Sequence, residues 1–215
     1  MAKNPEKLDW YEVYAKTVVD IPKKDMQKVY DLVEKGLGLT ADQWDAYRHG
    51  IAIKESQEGK FTTEPTLMYY MAQGGSNDAY DGRYQIGEKA KKDAAKYLGE
   101  KYPGHTDKAR KDFRNNPLMQ ELYMAAYTIK NHHYMKKNIQ TDKYKDDPNY
   151  NPNSYLLSNG QKRVKLLGFA HNQGHGAAKK YIITGKDSED PWGTKGTLYG
   201  ENIMNAAGQM NIDFN

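Results

Sequence analysis
The segment TADQWDAYRHGIAIKES, from Thr40 to Ser56, constrains the fold more than any other stretch of the chain. Thr40 stands where its hydroxyl can accept from the backbone three residues on, and Gln43 where it can return the bond, the reciprocal pair of a capping box that opens a helix. Trp44, Tyr47 and Ile51 follow at steps of three and four, giving the helix one apolar face that other elements must cover. The next step of four lands on Glu55. Burial raises the pKa of a carboxyl group and lets it hold a proton near neutrality, so a glutamate ending an apolar stripe is a candidate general acid. The plainer alternative is a helix-end glutamate in solvent beside Lys54 and Glu58.

Helical periodicity recurs along the rest of the chain. Residues 7 to 19 carry Leu8, Tyr11, Tyr14 and Val18 on one stripe, and residues 25 to 35 carry Met26, Val29, Tyr30 and Val33. Residues 60 to 84 read as irregular, with QGGSNDAYDG as their turn-rich part and TLMYYM as a short strand or buried segment. Helices are predicted over 87 to 98, 117 to 138 and 161 to 171, the last two divided by the Pro/Asn-rich loop DDPNYNPNS. A short helix, AAKKYII, follows HNQGHG, and a closing helix runs from Tyr199 to Met210. The predicted fold class is mainly α, with residues 1–39 as a helical N-terminal extension and 40–215 as the main domain.

Composition removes several classes of function. The chain has no cysteine, which excludes disulfides and thiolate chemistry. Nothing approaches the roughly 18 consecutive apolar residues of a membrane helix, and no apolar region follows the charged start, so neither membrane insertion nor a Sec signal is expected. A net charge of +4, from 32 basic and 28 acidic residues spread along the chain, falls short of a nucleic-acid footprint. The 18 tyrosines against 4 phenylalanines suit a partly wet groove, because tyrosine joins a flat apolar face to a hydroxyl.

Four pieces stand in order: KES at Lys54, DGRYQIG at Asp81, GFAHNQGHGAAKKY at Gly168 and GTLYGENI at Gly196. Together they resemble the lysozyme-like domain of lytic transglycosylases and goose-type lysozymes, over roughly residues 41 to 208. That family has a helix-ending Glu-Ser, then Gly-Leu-Met-Gln, then Ala-Tyr-Asn-Ala-Gly-x-Gly, then a late tyrosine. The resemblance implies a lysozyme-like helical domain with Glu55 as catalytic acid and Ser56 as its motif neighbour. It implies a sugar groove lined by Tyr84, Gln85, His171 and Asn172, with Tyr199 as the late tyrosine close to the acid. Arg83 and Tyr84 stand in place of Leu-Met, His171 in place of the motif tyrosine, Gln173 in place of alanine, and His175 where proline is common.

Cleaving a β-1,4 glycosidic bond requires a proton for the leaving oxygen and relief of positive charge on the sugar ring, normally from two carboxyl groups. The resemblance implies a peptidoglycan glycan strand as substrate, cut between N-acetylmuramic acid and N-acetylglucosamine, with no cofactor. In lytic transglycosylases the single glutamate suffices and the sugar's own 6-hydroxyl attacks, leaving a 1,6-anhydro product; in a goose-type lysozyme a second carboxylate positions water. Asp78 and Asp81 are the candidates for that carboxylate, and each also fits a turn residue in a loop. The expected setting is synthesis in the cytoplasm and action at the bacterial cell wall, as a bacteriophage lysis or virion-associated protein or a secreted effector. Residues 1–39 are then a candidate contact for a virion or envelope partner. The rival reading is a non-catalytic lysozyme-like module that grips saccharide, and a chitin-cutting glycosidase is the nearer competitor. No metal is expected, because Asn172 stands where H-E-x-x-H needs glutamate and Gly174 and Gly176 oppose a helix through His171 and His175.

Overall fold
The computed structural model describes residues 19–57, 66–75, 79–140 and 160–215. The described residues are mainly helical, with eight helices and one small antiparallel sheet. Helices α1 (Lys23–Leu37), α2 (Ala41–Glu55) and the short α3 (Leu67–Tyr70) come first. The strands β1 (Gln73–Gly74), β2 (Tyr80–Asp81) and β3 (Ile86–Gly87) follow, and then α4 (Glu88–Leu98), α5 (Asp107–Arg114), α6 (Pro117–Gln140), α7 (Gly160–Thr184) and α8 (Gly196–Met210). No helix among the described residues is long and apolar enough to cross a membrane.

Helix α6 is the central post, with Met124, Ala125, Ala126 and Ile129 fully buried and α1, α4, α5 and α7 packed around it. The described part of the expected N-terminal extension belongs to this core: Val29, Val33 and Leu37 of α1 share one hydrophobic cluster with residues of α2, α6, α7 and α8. The predicted helix over 7 to 19 and the loop DDPNYNPNS lie outside the described residues, apart from Val19.

Helix α2 begins as its sequence dictates. The Thr40 hydroxyl accepts from the Gln43 N–H at 3.2 Å, and the Gln43 side chain accepts from the Thr40 N–H at 3.1 Å. Trp44, Tyr47 and Ile51 are buried to the last atom. Midway along this helix stands Gly50, where a Cβ would fall 2.5 Å from the Ile203 Cα on α8. The two helix backbones therefore touch, and only a residue without a side chain permits the crossing. α8 also packs along α7, so the last helix is wedged between α2 and α7.

The sheet has the order β1-β2-β3, with Gln73 opposite Asp81 and Tyr80 opposite Gly87. Its β2–β3 turn is bolted to α6 by two adjacent side chains. Gln120 accepts from the Arg83 N–H at 2.8 Å and donates to the carbonyls of Tyr70, Phe113 and Arg114. Glu121, wholly buried, takes hydrogen bonds from Tyr70 (2.6 Å), Tyr84 (2.7 Å), Arg83 (2.9 Å) and Arg48 (3.2 Å). Burial alone would raise the Glu121 pKa, but the charges of Arg48 and Arg83 and the tyrosine hydroxyls outweigh it and hold it below the usual range.

TLMYYM, expected as a short strand or a buried segment, is a buried segment in the form of a short helix that ends in two buried tyrosines. α5 was not predicted; Thr106 caps it by accepting from the Ala109 N–H at 3.2 Å, and Phe113 is its one buried apolar residue. The two helices predicted over 161 to 171 and 177 to 183 are both present as the two arms of α7, which meet at a kink at Gly174, whose φ of 79° and ψ of 160° are not helical.

Candidate active site
A groove of about 1000 Å³ opens between the sheet, the kinked middle of α7 and the loop that leads into α8. Glu55, at the C-terminal end of α2, lines it together with Gln85, Tyr127, Asn131, His171, Asn172, Asp190 and Tyr199. The side chain of Glu55 is 17% exposed, so it is largely withdrawn from water yet reachable from the groove.

The Tyr199 hydroxyl donates to Glu55 Oε1 at 2.8 Å. It in turn accepts from Asn172 Nδ2 at 3.2 Å, and the same amide lies 3.3 Å from Asp190 Oδ2. Burial, the negative charge of Glu55 and the hydrogen bond to it push the Tyr199 pKa well up, so the phenol stays protonated and acts as a donor. His171 Nε2 lies 3.1 Å from the Tyr84 carbonyl oxygen and 3.4 Å from Glu55 Oε1. A backbone carbonyl can only accept, so Nε2 carries the hydrogen and gives it to the Tyr84 carbonyl, with Glu55 Oε1 close by. Tyr199 and His171 thus converge on Oε1, while among the described residues no hydrogen bond is made to Oε2.

The helix crossing at Gly50 makes this convergence possible, because it lays the start of α8 beside the end of α2. The kink at Gly174 lets His171, Asn172 and Gln173 turn into the groove while the rest of α7 continues as helix. Gln173 reaches the Asn172 side-chain oxygen and the Thr194 carbonyl, stitching α7 to the facing loop. Asp190 organises that loop by accepting from the N–H groups of Trp192 (2.9 Å) and Thr194 (2.8 Å). Burial pushes its pKa upward, but the Thr194 N–H and the Asn172 amide outweigh that and lower it.

Gln85 lines the groove in a left-handed conformation, with φ of 45°. That region costs a non-glycine residue of order 1–2 kcal/mol, offset here by a hydrogen bond from its own side chain to the Gly82 carbonyl at 2.8 Å. Opposite it, a Cβ on Gly74 would lie 2.1 Å from Gln85 Oε1, so the glycine makes room for the amide.

Other residues expected at the groove lie elsewhere. Tyr84 is fully buried with its hydroxyl on Glu121, and it meets the site only through its backbone carbonyl. The resemblance implies a groove residue at this position, but the Glu121 cluster pulls the ring inward. Ser56 caps α2 by donating to the Ala52 carbonyl at 3.1 Å and does not line the groove. Asp81 is sealed beneath the sheet among Lys91, Arg110 at 3.0 Å and Arg114 at 2.7 Å. Burial would raise its pKa, yet the hydrogen bonds from Arg110 and Lys91 hold it below the ordinary range, so it serves as a structural anion. Asp78 lies outside the described residues. His175, by contrast, does line the groove, where its ring stacks on Tyr134 with centroids 4.7 Å apart. Among the described residues no cluster of three or more histidine or carboxylate side chains could hold a metal ion.

Asp190, Tyr127 and Asn131 are site residues that the sequence reading missed. For Asp190 a signal existed: Asp-Pro-Trp-Gly is a turn sequence in which the first side chain caps the backbone beyond it. Comparison of the chain with protein-family models, curated proteins and solved structures finds no match.

Proposed function
We propose that the protein is a peptidoglycan-cutting glycosidase of the lysozyme-like kind, with Glu55 as its general acid. The observation that carries this reading is the convergence of Tyr199 and His171 on one oxygen of Glu55, in a groove walled by amide side chains. Anchoring Oε1 fixes the carboxyl group and leaves Oε2 to carry the proton. A glycosidic oxygen seated against Oε2 takes that proton as its bond to C1 breaks, and the carboxylate left behind faces the positive charge that develops on the ring.

The placement of Asp81 removes one of the two candidates for a second carboxylate, which favours the single-carboxylate route of a lytic transglycosylase. Its three cations keep it from positioning water, and Asp190 is committed to Asn172 and its own loop. In that route the Glu55 carboxylate removes the proton of the sugar's 6-hydroxyl as its oxygen attacks C1, closing the 1,6-anhydro ring and returning the acid to its starting state. Gln85 and Asn172 are the substrate-facing amides, and residues 1–39 would contact a virion or envelope partner in a phage lysis or virion-associated setting. The test is release of soluble glycan from purified peptidoglycan by the wild-type protein and by Glu55→Gln. Release by the wild type alone supports the assignment. Wall binding without release by either protein would replace the enzyme with a saccharide-gripping module, and release from chitin alone would move it to the chitin-cutting class.

A further inference from the structure
Two aromatic rings stand at the rim of the groove and play no part in the chemistry above. Tyr80, on β2, is 37% exposed, and Trp192, on the loop before α8, is 61% exposed. They meet edge to face with centroids 6.3 Å apart and planes at 79°, joining the two walls of the groove.

Both rings are held in place. The Tyr80 ring lies against two glycines: a Cβ on Gly75 would fall 2.4 Å from it, and one on Gly87 3.0 Å. The Trp192 backbone is fixed by its N–H on Asp190 Oδ1, and the other oxygen of that carboxylate lies beside the Asn172 amide. The indole is thus presented by a turn wired to the site, with most of its surface in water. A rigid aromatic ring kept exposed at a groove is costly in solvent and suits a flat apolar ligand face ringed by polar groups.

We infer that Tyr80 and Trp192 form a clamp for one pyranose ring of the glycan strand, taking its C–H face against the indole while its hydroxyl edge meets the amide-lined wall. This rests on the saccharide reading of the groove and adds to it an aromatic binding position at the groove rim. A peptide or lipid occupant would call for a longer apolar surface than two rings supply.

The test is calorimetric titration of a peptide-free tetrasaccharide of alternating N-acetylglucosamine and N-acetylmuramic acid into Glu55→Gln protein, which removes turnover. In that background Trp192→Ala and Tyr80→Ala are each expected to weaken binding about fivefold or more, and Trp192→Phe by about twofold or less. Unchanged tetrasaccharide affinity in Trp192→Ala, with an unchanged melting temperature, would overturn the clamp alone. Failure of the Glu55→Gln parent to bind any glycan would overturn the saccharide reading and the clamp together.

Discussion

Tyr199 on α8 donates to Glu55 at the end of α2 across 2.8 Å, joining residues 144 apart in the chain. The contact exists because α2 and α8 cross at Gly50 with no side chain between them. Removing the phenol oxygen leaves the packing of the ring intact, so Tyr199→Phe is expected to fold normally. It should lower kcat for glycan cleavage by roughly 10- to 100-fold, in line with the loss of one buried hydrogen bond to a charged group. Steady-state kinetics beside a thermal melt checks both halves of that statement.

Gly50 itself should not tolerate a methyl group. The neighbour a Cβ would strike is the backbone of Ile203, which cannot swing aside as a side-chain tip could. Gly50→Ala is expected to cost about 1–3 kcal/mol by overpacking and to reduce activity further by moving Tyr199 away from Glu55. Urea unfolding measures the first effect; a Tyr199→Phe, Gly50→Ala double variant, less than additive in activity, reports the second.

Glu121 is the anion on which the β2–β3 turn is hung. Glu121→Ala would take from Arg83 and Arg48 the buried carboxylate they share, though Arg48 keeps Asp45 at 2.7 Å, and is expected to destabilise the protein by about 3–5 kcal/mol. For a chain of this size that is a fall in melting temperature of roughly 10 °C. Because the same turn carries the Tyr84 carbonyl to His171, activity per folded molecule should fall as well.

His132, on α6, sets a pH dependence of stability. Burial, reinforced by the charges of Lys136, Arg163 and His133, lowers its pKa from 6.5 to about 4. Between those values the unfolded chain takes up a proton that the folded chain refuses, so stability falls as pH drops through this window. The loss reaches about 3 kcal/mol at most and stops growing below pH 4. Glu121 and Asp81 act in a different range: their depressed folded pKa values stabilise the protein above the unfolded carboxylate values near 4, and that contribution is lost only at lower pH. Urea unfolding at pH 7, 6 and 5 is expected to show the slope, and His132→Gln to flatten it.

What the sequence made legible was local. The capping box at Thr40, the apolar stripe ending at Glu55, and Gly174 between His171 and His175 are short-range signals, and each corresponds to a feature of the fold. Tyr84 shows the limit. Whether its ring faces the groove or the core is decided by Glu121, 37 residues on, and nothing near Tyr84 announces that acid. Asp81 is similar, because two of its three cations stand on α5, about thirty residues on, and nothing near Asp81 announces them. Asp190 was hidden differently: its neighbours mark a turn, but only the fold brings that turn against Asn172.

The most direct measurement is mass spectrometry of the muropeptides released from purified peptidoglycan by the wild-type protein and by Glu55→Gln. The expected result is 1,6-anhydro-muropeptides from the wild type and none from the variant. Reducing-end products dependent on Glu55 would contradict the single-carboxylate route and call for a water-positioning acid. Equal products from both proteins would contradict the central assignment of Glu55 as the acid.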